Sequence, residues 1–157
     1  MPIHRLEKIW LTFGIAMLAV FLAVLGIGAF AMGMEPPGSH GTHAVDPVTV
    51  SSEPPFDTPG LVQIGENEYN AYVLAFAFGF SPVDMEVPRG ARVHFYITSQ
   101  DVVHGFSIPR TTVNLMAVPG EINHMTYTFD KPGEYLVLCN EYCGISHEQM
   151  ATRIVVK

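Results

Sequence analysis

The sequence predicts a mainly β domain, a sandwich or barrel of short strands, carried behind one membrane-spanning helix. Three observations lead there. The stretch from Ile9 to Met34 holds no charged residue. From Leu61 onward, short β-rich runs are divided by Pro and Gly at regular spacing, the pattern of a sandwich or barrel. A cluster of soft metal-binding side chains then fills the last nineteen residues, Cys139 to Lys157.

The apolar run comes first. At about 1.5 Å per residue it reaches about 39 Å as a helix, against a hydrocarbon core of about 30 Å. A cleaved signal peptide is the competing reading, and Ala29-Phe30-Ala31 offers a small-x-small site. Signal h-regions span only about 7–15 residues, so a retained anchor over residues 1–34 is expected. Arg5 and Lys8 precede the run, and no Lys or Arg follows until Arg89. That asymmetry puts the N-terminus in the cytoplasm and the large domain outside. Trp10 reads as an interfacial aromatic.

Residues 35–60 hold six prolines and three glycines. Pro36-Pro37 and Pro54-Pro55 favour a stiff, extended linker. His40 and His43 lie in it and are read as solvated linker residues rather than ligands.

Residues 61–157 form the expected domain. Val93, Phe95 and Ile97 alternate with Arg92, His94, Tyr96 and Thr98, the period of a strand buried on one face. Leu61–Ile64, Glu68–Ala77, Glu121–Phe129, Gly133–Leu138 and Thr152–Val156 are further strands. Breakers fall at Ser81-Pro82, Pro88-Arg89-Gly90, Pro119-Gly120 and Lys131-Pro132-Gly133. Setting aside Arg5, Glu7 and Lys8 leaves six basic against fourteen acidic residues in 35–157. Such a balance argues against nucleic acid as a partner and suits a basic protein partner.

The chemistry lies in Cys139-x3-Cys143-x3-His147-x2-Met150, with His104 upstream in Asp101-Val102-Val103-His104-Gly105-Phe106. Thiolate, thioether and imidazole together select copper. A mononuclear blue-copper site needs one cysteine, and this set has two. Two cysteines bridging two metal ions, each completed by one histidine and one weaker ligand, use every member. A disulfide between the cysteines and a structural zinc site compete with this reading. Zinc would leave Met150 without a role.

This pattern, with Glu141 inside it, resembles the CuA motif of the cytochrome c oxidase subunit II family. The resemblance runs from about Tyr69 to Lys157. It is nearest the B-type oxidases of thermophilic bacteria through Tyr72–Phe80, Asp101–Phe106 and Pro132–Tyr135. It implies a cupredoxin-like Greek-key barrel in which Cys139 and Cys143 bridge two coppers. One copper is completed by His104 and Met150, the other by His147 and the backbone carbonyl of Glu141. Asp101, Asn140 and Gly144 are expected to support these ligands from outside.

The resemblance further implies cytochrome c as electron donor. Haem groups and CuB lie on a partner, subunit I, where oxygen is reduced, and a small accessory subunit is a further expected partner. Magnesium at Glu141 is an option, though this position tends not to serve magnesium in B-type relatives. Glu7, in Leu6-Glu7-Lys8-Ile9-Trp10, resembles a glutamate at the cytoplasmic entrance of a proton pathway. Phe76, Phe78 and Phe80 form an aromatic stretch from which an exposed member would meet the donor. The aromatic cluster with tryptophan found in other oxidases is missing, since Trp10 is the sole tryptophan. A membrane-anchored copper carrier or assembly protein is the alternative function. A nitrous oxide reductase has a similar loop but needs a large catalytic domain.

Overall fold

The computed structural model describes residues 3–32, 34 and 44–157. His40, His43 and Pro36-Pro37 lie outside the described residues. The chain divides into two compact units, Met1–Glu35 and Pro36–Lys157.

The first unit is a helix, α1 (Arg5–Gly26), continued by a wider turn of π-helix over Ile27–Ala31. It begins four residues before the uncharged run because His4 adopts extended backbone and its Nδ1 accepts the Leu6 N–H at 3.3 Å. That bond satisfies a donor that every helix start leaves open. At 27 residues, Arg5–Ala31 is long and apolar enough to cross a membrane.

Among the described residues, the second unit has ten strands: β1 (Gly60–Gly65), β2 (Glu68–Phe76), β3 (Gly79–Ser81), β4 (Asp84–Val87), β5 (Ala91–Ser99), β6 (His104–Ser107), β7 (Asn114–Ala117), β8 (Asn123–Phe129), β9 (Gly133–Leu138) and β10 (Ala151–Val156). One sheet runs β1-β2-β5-β8, with β3 also on β2; the other runs β4-β10-β9-β6-β7. β2 pairs with β5, and β4 with β10, in parallel; the remaining pairings are antiparallel. The two parallel pairs require the chain to cross between sheets rather than meander.

Period-2 alternation decides which face is buried. Val93, Phe95 and Ile97 point inward and are at most 1% exposed. They meet Phe106, Leu115, Val137 and Ile154 of the second sheet in one core. Phe95 packs between Phe106 and Phe129, with ring centroids 5.5 and 6.4 Å away.

Residues 44–60 lie on the domain rather than spanning to it as free linker. Val50 and Phe56 are 1% exposed and pack with Leu74 on the outer face of the first sheet. Ala44 forms a bridge with Glu121. Two apolar side chains among the prolines are enough to hold this stretch down, because each gains about 1.5–3 kcal/mol on burial.

Candidate metal centre

Cys139 follows β9 directly, and Met150 stands immediately before β10. The two strands pair in antiparallel register, Leu138 opposite Ala151, and Cys139 N–H donates to the Met150 carbonyl at 3.1 Å. The twelve residues between are thus a closed loop, tightened by a 3-10 turn over His147–Gln149. His104 is the first residue of β6 rather than part of a free loop. Strand geometry therefore fixes its backbone beside the cysteine loop.

The six expected ligands come together around the two sulfurs. The Cys139 and Cys143 Sγ atoms are 3.8 Å apart, and both thiols are free. A disulfide bond measures about 2.0 Å, so the pair is not bridged. Cys139 Sγ lies 4.0 Å from His104 Nδ1 and 3.2 Å from the Glu141 carbonyl oxygen. Cys143 Sγ lies 3.5 Å from His147 Nδ1 and 3.7 Å from Met150 Sδ. His104 and Met150 are 0% and 2% exposed. A buried thioether against one of two neighbouring thiols, each of which also meets an imidazole, is a donor set that suits copper far better than zinc. At position 141 only the backbone takes part; the side chain is exposed. Among the described residues, the tightest metal-capable grouping is His104, Cys139 and Cys143; His147, which reaches Cys143 Sγ, and the Glu141 carboxylate lie outside it.

The supports are also visible. Asp101 Oδ1 accepts from His104 Nε2 at 2.8 Å, so Nδ1 is the nitrogen turned to the sulfurs. Burial opposes ionisation of Asp101, but bonds from His104, Ala77 N–H and Val102 N–H outweigh it and hold the carboxyl below its ordinary range. The Ala77 N–H bond, at 2.6 Å, ties the β2–β3 turn to the same carboxylate. Ser99 completes the turn by donating to the Val102 carbonyl at 2.6 Å. Gly144 has φ +135°, and a Cβ there would lie 2.8 Å from Phe78 Cε1. Glycine is therefore needed both for the backbone and for the ring that lies on it. Asn140 Nδ2 donates to Asn114 Oδ1 at 3.1 Å.

The aromatic stretch separates. Phe80 is 2% exposed and packs edge-on against Phe106, 5.5 Å between centroids. Its β3 position turns it into the core, so it presents no surface to a partner. Phe76 is half-buried, and Phe78 is exposed beside the copper loop. Glu7 belongs to the helical unit, in the first turn of α1. Sequence reasoning did not single out Ser99, Gly105 or Asn114. The Ser99-Gln-Asp101 turn signal was available for the first of these.

Burial and the neighbouring Cys139 thiol push the Cys143 thiol from 9.0 up to about 11. At neutral pH this thiol carries its proton, which metal uptake must displace. Apparent copper affinity is therefore expected to rise at least about tenfold per pH unit while the thiol stays protonated, one unit being 1.36 kcal/mol. Competition titrations against a copper chelator at pH 7 and 8 check this. Equal affinities at the two values would show that no such proton is displaced.

A buried soft-donor centre in a two-sheet β domain, in a chain with a membrane-length helix, is the make-up expected of a copper electron-transfer protein. The family model of the cytochrome c oxidase subunit II periplasmic domain matches residues 80–157. Cytochrome c oxidase subunit 2 of Thermus thermophilus is 47% identical over 155 residues, covering 96% of this chain and 91% of its own. A chain in the cryo-EM structure of a haem–copper terminal oxidase dimer aligns with TM-score 0.77 and 32% identity, over 98% of this chain and 100% of that one. The periplasmic domain of oxidase subunit II from Bradyrhizobium japonicum shares the cupredoxin-like fold at TM-score 0.52 and 22% identity, over 56% of this chain and 83% of that one. The chain belongs to the cytochrome c oxidase subunit II family.

Proposed function

We propose that this chain is the electron-entry subunit of a haem–copper terminal oxidase. It takes electrons from a cytochrome c and passes them to haem on subunit I, where oxygen is reduced to water and protons are pumped. Two unbridged thiols, each met by two of the four other ligand atoms, carry this reading. Two coppers held there supply a one-electron carrier shared through the thiolates. His104 and Met150 would complete one ion, His147 and the Glu141 carbonyl the other. The chain's own part is to hold these ligands between strands, so that they move little when the charge changes. Haem and CuB sit on subunit I, with a small accessory subunit as a further partner. Magnesium at Glu141 is not favoured, since its backbone carbonyl is turned to the sulfurs and its side chain is exposed.

A membrane-anchored copper carrier would need ligands open to exchange. Cys139 at 8% exposure and the deeper His104 and Met150 argue against one. The helix Arg5–Ala31 anchors the chain as a single span in the bacterial cell membrane. Arg5 and Lys8 keep its N-terminus cytoplasmic, and the copper domain lies on the outer side. One span also fits the B-type branch. The domain organisation follows as anchor (1–34), a Pro-rich connection (35–60) that ends against the sheet, and copper domain (61–157).

Donor contact centres on Phe78. Its ring is 38% exposed and lies on Gly144, next to Cys143, while the adjacent Ala77 N–H bonds the carboxylate that holds His104. Val102, 45% exposed, adds apolar surface in the same turn as Asp101. Phe78→Ala is expected to slow reduction by cytochrome c several-fold with the copper spectrum preserved, as truncation of an apolar anchor does. Unchanged donor kinetics would move the docking site elsewhere.

Glu7 is proposed to collect protons at the cytoplasmic boundary. Glu7→Gln keeps size and polarity but cannot titrate. Oxygen consumption by the whole oxidase should fall while stopped-flow reduction of copper stays normal. Normal turnover would leave Glu7 as an interfacial anchor.

A further inference from the structure

The cysteine loop and His104 arrive from different parts of the chain, so something must set the distance between them. Past the Ser107–Leu138 register position, β6 and β9 share no further paired residues. That is where the ligands begin. Gly105, next to His104, is buried and faces Asn140, next to Cys139. A Cβ on Gly105 would stand 2.8 Å from the Asn140 backbone nitrogen and would overlap Asn140 Oδ1. The first of these neighbours is main chain and cannot swing away.

The Asn140 amide thus occupies the space that the missing side chain leaves. From there its Nδ2 reaches across β6 to Asn114 Oδ1, 3.1 Å away on β7. Asn114 is itself held opposite Ser107 in the β6–β7 register. The loop is therefore held at Asn140 twice over, by its close approach to Gly105 and by its hydrogen bond to a residue of the next strand. Both Gly105 and Asn140 adjoin a ligand, so a displacement there is transmitted to His104 and Cys139 within one residue.

We infer that Gly105 and Asn114 are positioning residues that set the approach of Cys139 to His104, and through it the electronic properties of the copper centre. This rests on the dinuclear reading of the site. Gly105 has the larger part, because a steric overlap with main chain costs more than a partly exposed hydrogen bond contributes.

The experiment uses the full chain in detergent, loaded with copper, as Gly105→Ala and Asn114→Ala. Metal content and a melting curve of each variant precede electron paramagnetic resonance and potentiometry. Both variants should bind two coppers per chain, which keeps this test separate from the test of the dinuclear centre. Gly105→Ala should show a displaced reduction potential and altered hyperfine coupling to the histidine nitrogen. Asn114→Ala should show a smaller change in the same properties, with its melting temperature close to that of the parent. Parental potential and hyperfine coupling in a folded Gly105→Ala would overturn the inference. Should Gly105→Ala fail to accumulate, Asn114→Ala decides alone: a parental spectrum and potential there overturn the inference as well.

Discussion

Cys143→Ser should abolish the shared-electron spectrum, and Cys139→Ser should do the same. A hydroxyl is a hard, poorly ionised donor, and soft copper takes it badly as a bridge. The sulfurs lie 3.8 Å apart and each serves as hub for two other ligand atoms, so losing either leaves half the set unconnected. Electron entry from cytochrome c should fall by more than the roughly 10–100-fold typical of removing an outer partner of a metal ligand. Met150→Leu supplies the contrast. It preserves the buried volume at 2% exposure and removes only the weak thioether. Copper should remain bound, with the potential and the electron distribution shifted. A spectroscopically silent Met150→Leu would make Met150 a packing residue.

Phe106→Ala should be the most damaging change away from the ligands. Phe106 is fully buried, two residues after His104, and touches Phe80 and Phe95 at 5.5 Å between centroids. Phe→Ala in such a core costs about 3–5 kcal/mol, lost transfer energy plus the cavity left behind. For a domain of this size that lowers Tm by roughly 10 °C or more. Because β6 carries His104 at its start, the loosened floor should also broaden the copper spectrum at temperatures well below unfolding. Calorimetry and resonance spectra on the same sample check both parts. A loss under about 1 kcal/mol, with the spectrum intact, would mean that the neighbouring rings close over the cavity.

Reading the chain forward, the legible parts were those where one local rule decides. Val93, Phe95 and Ile97 announce a one-sided strand by their period, and β5 carries them inward as expected. The ligand set was legible because residue type alone selects a soft metal. Strands β3, β4, β6 and β7 were not read, since three or four residues cannot display a period; their pairing is decided by distant partners. His104 stands at the head of one of these, β6, whose four residues do not announce a strand. Val50 and Phe56 looked like linker because prolines surround them, yet burial on the sheet outweighs local stiffness. Phe80 could not be told from Phe78 without knowing which way the β2–β3 turn faces. The bond from Ala77 to Asp101 spans twenty-four positions and has no signature in either segment.

On the dinuclear reading, two thiols, two imidazoles, a thioether and one carbonyl hold two coppers that share one electron. Electron paramagnetic resonance of the copper-loaded full chain in its mixed-valence state checks this, with metal content measured on the same sample. A purple protein with two coppers per chain and hyperfine structure from both nuclei is expected on that reading. One copper per chain with a single-nucleus pattern, or a colourless protein that holds zinc, would contradict it.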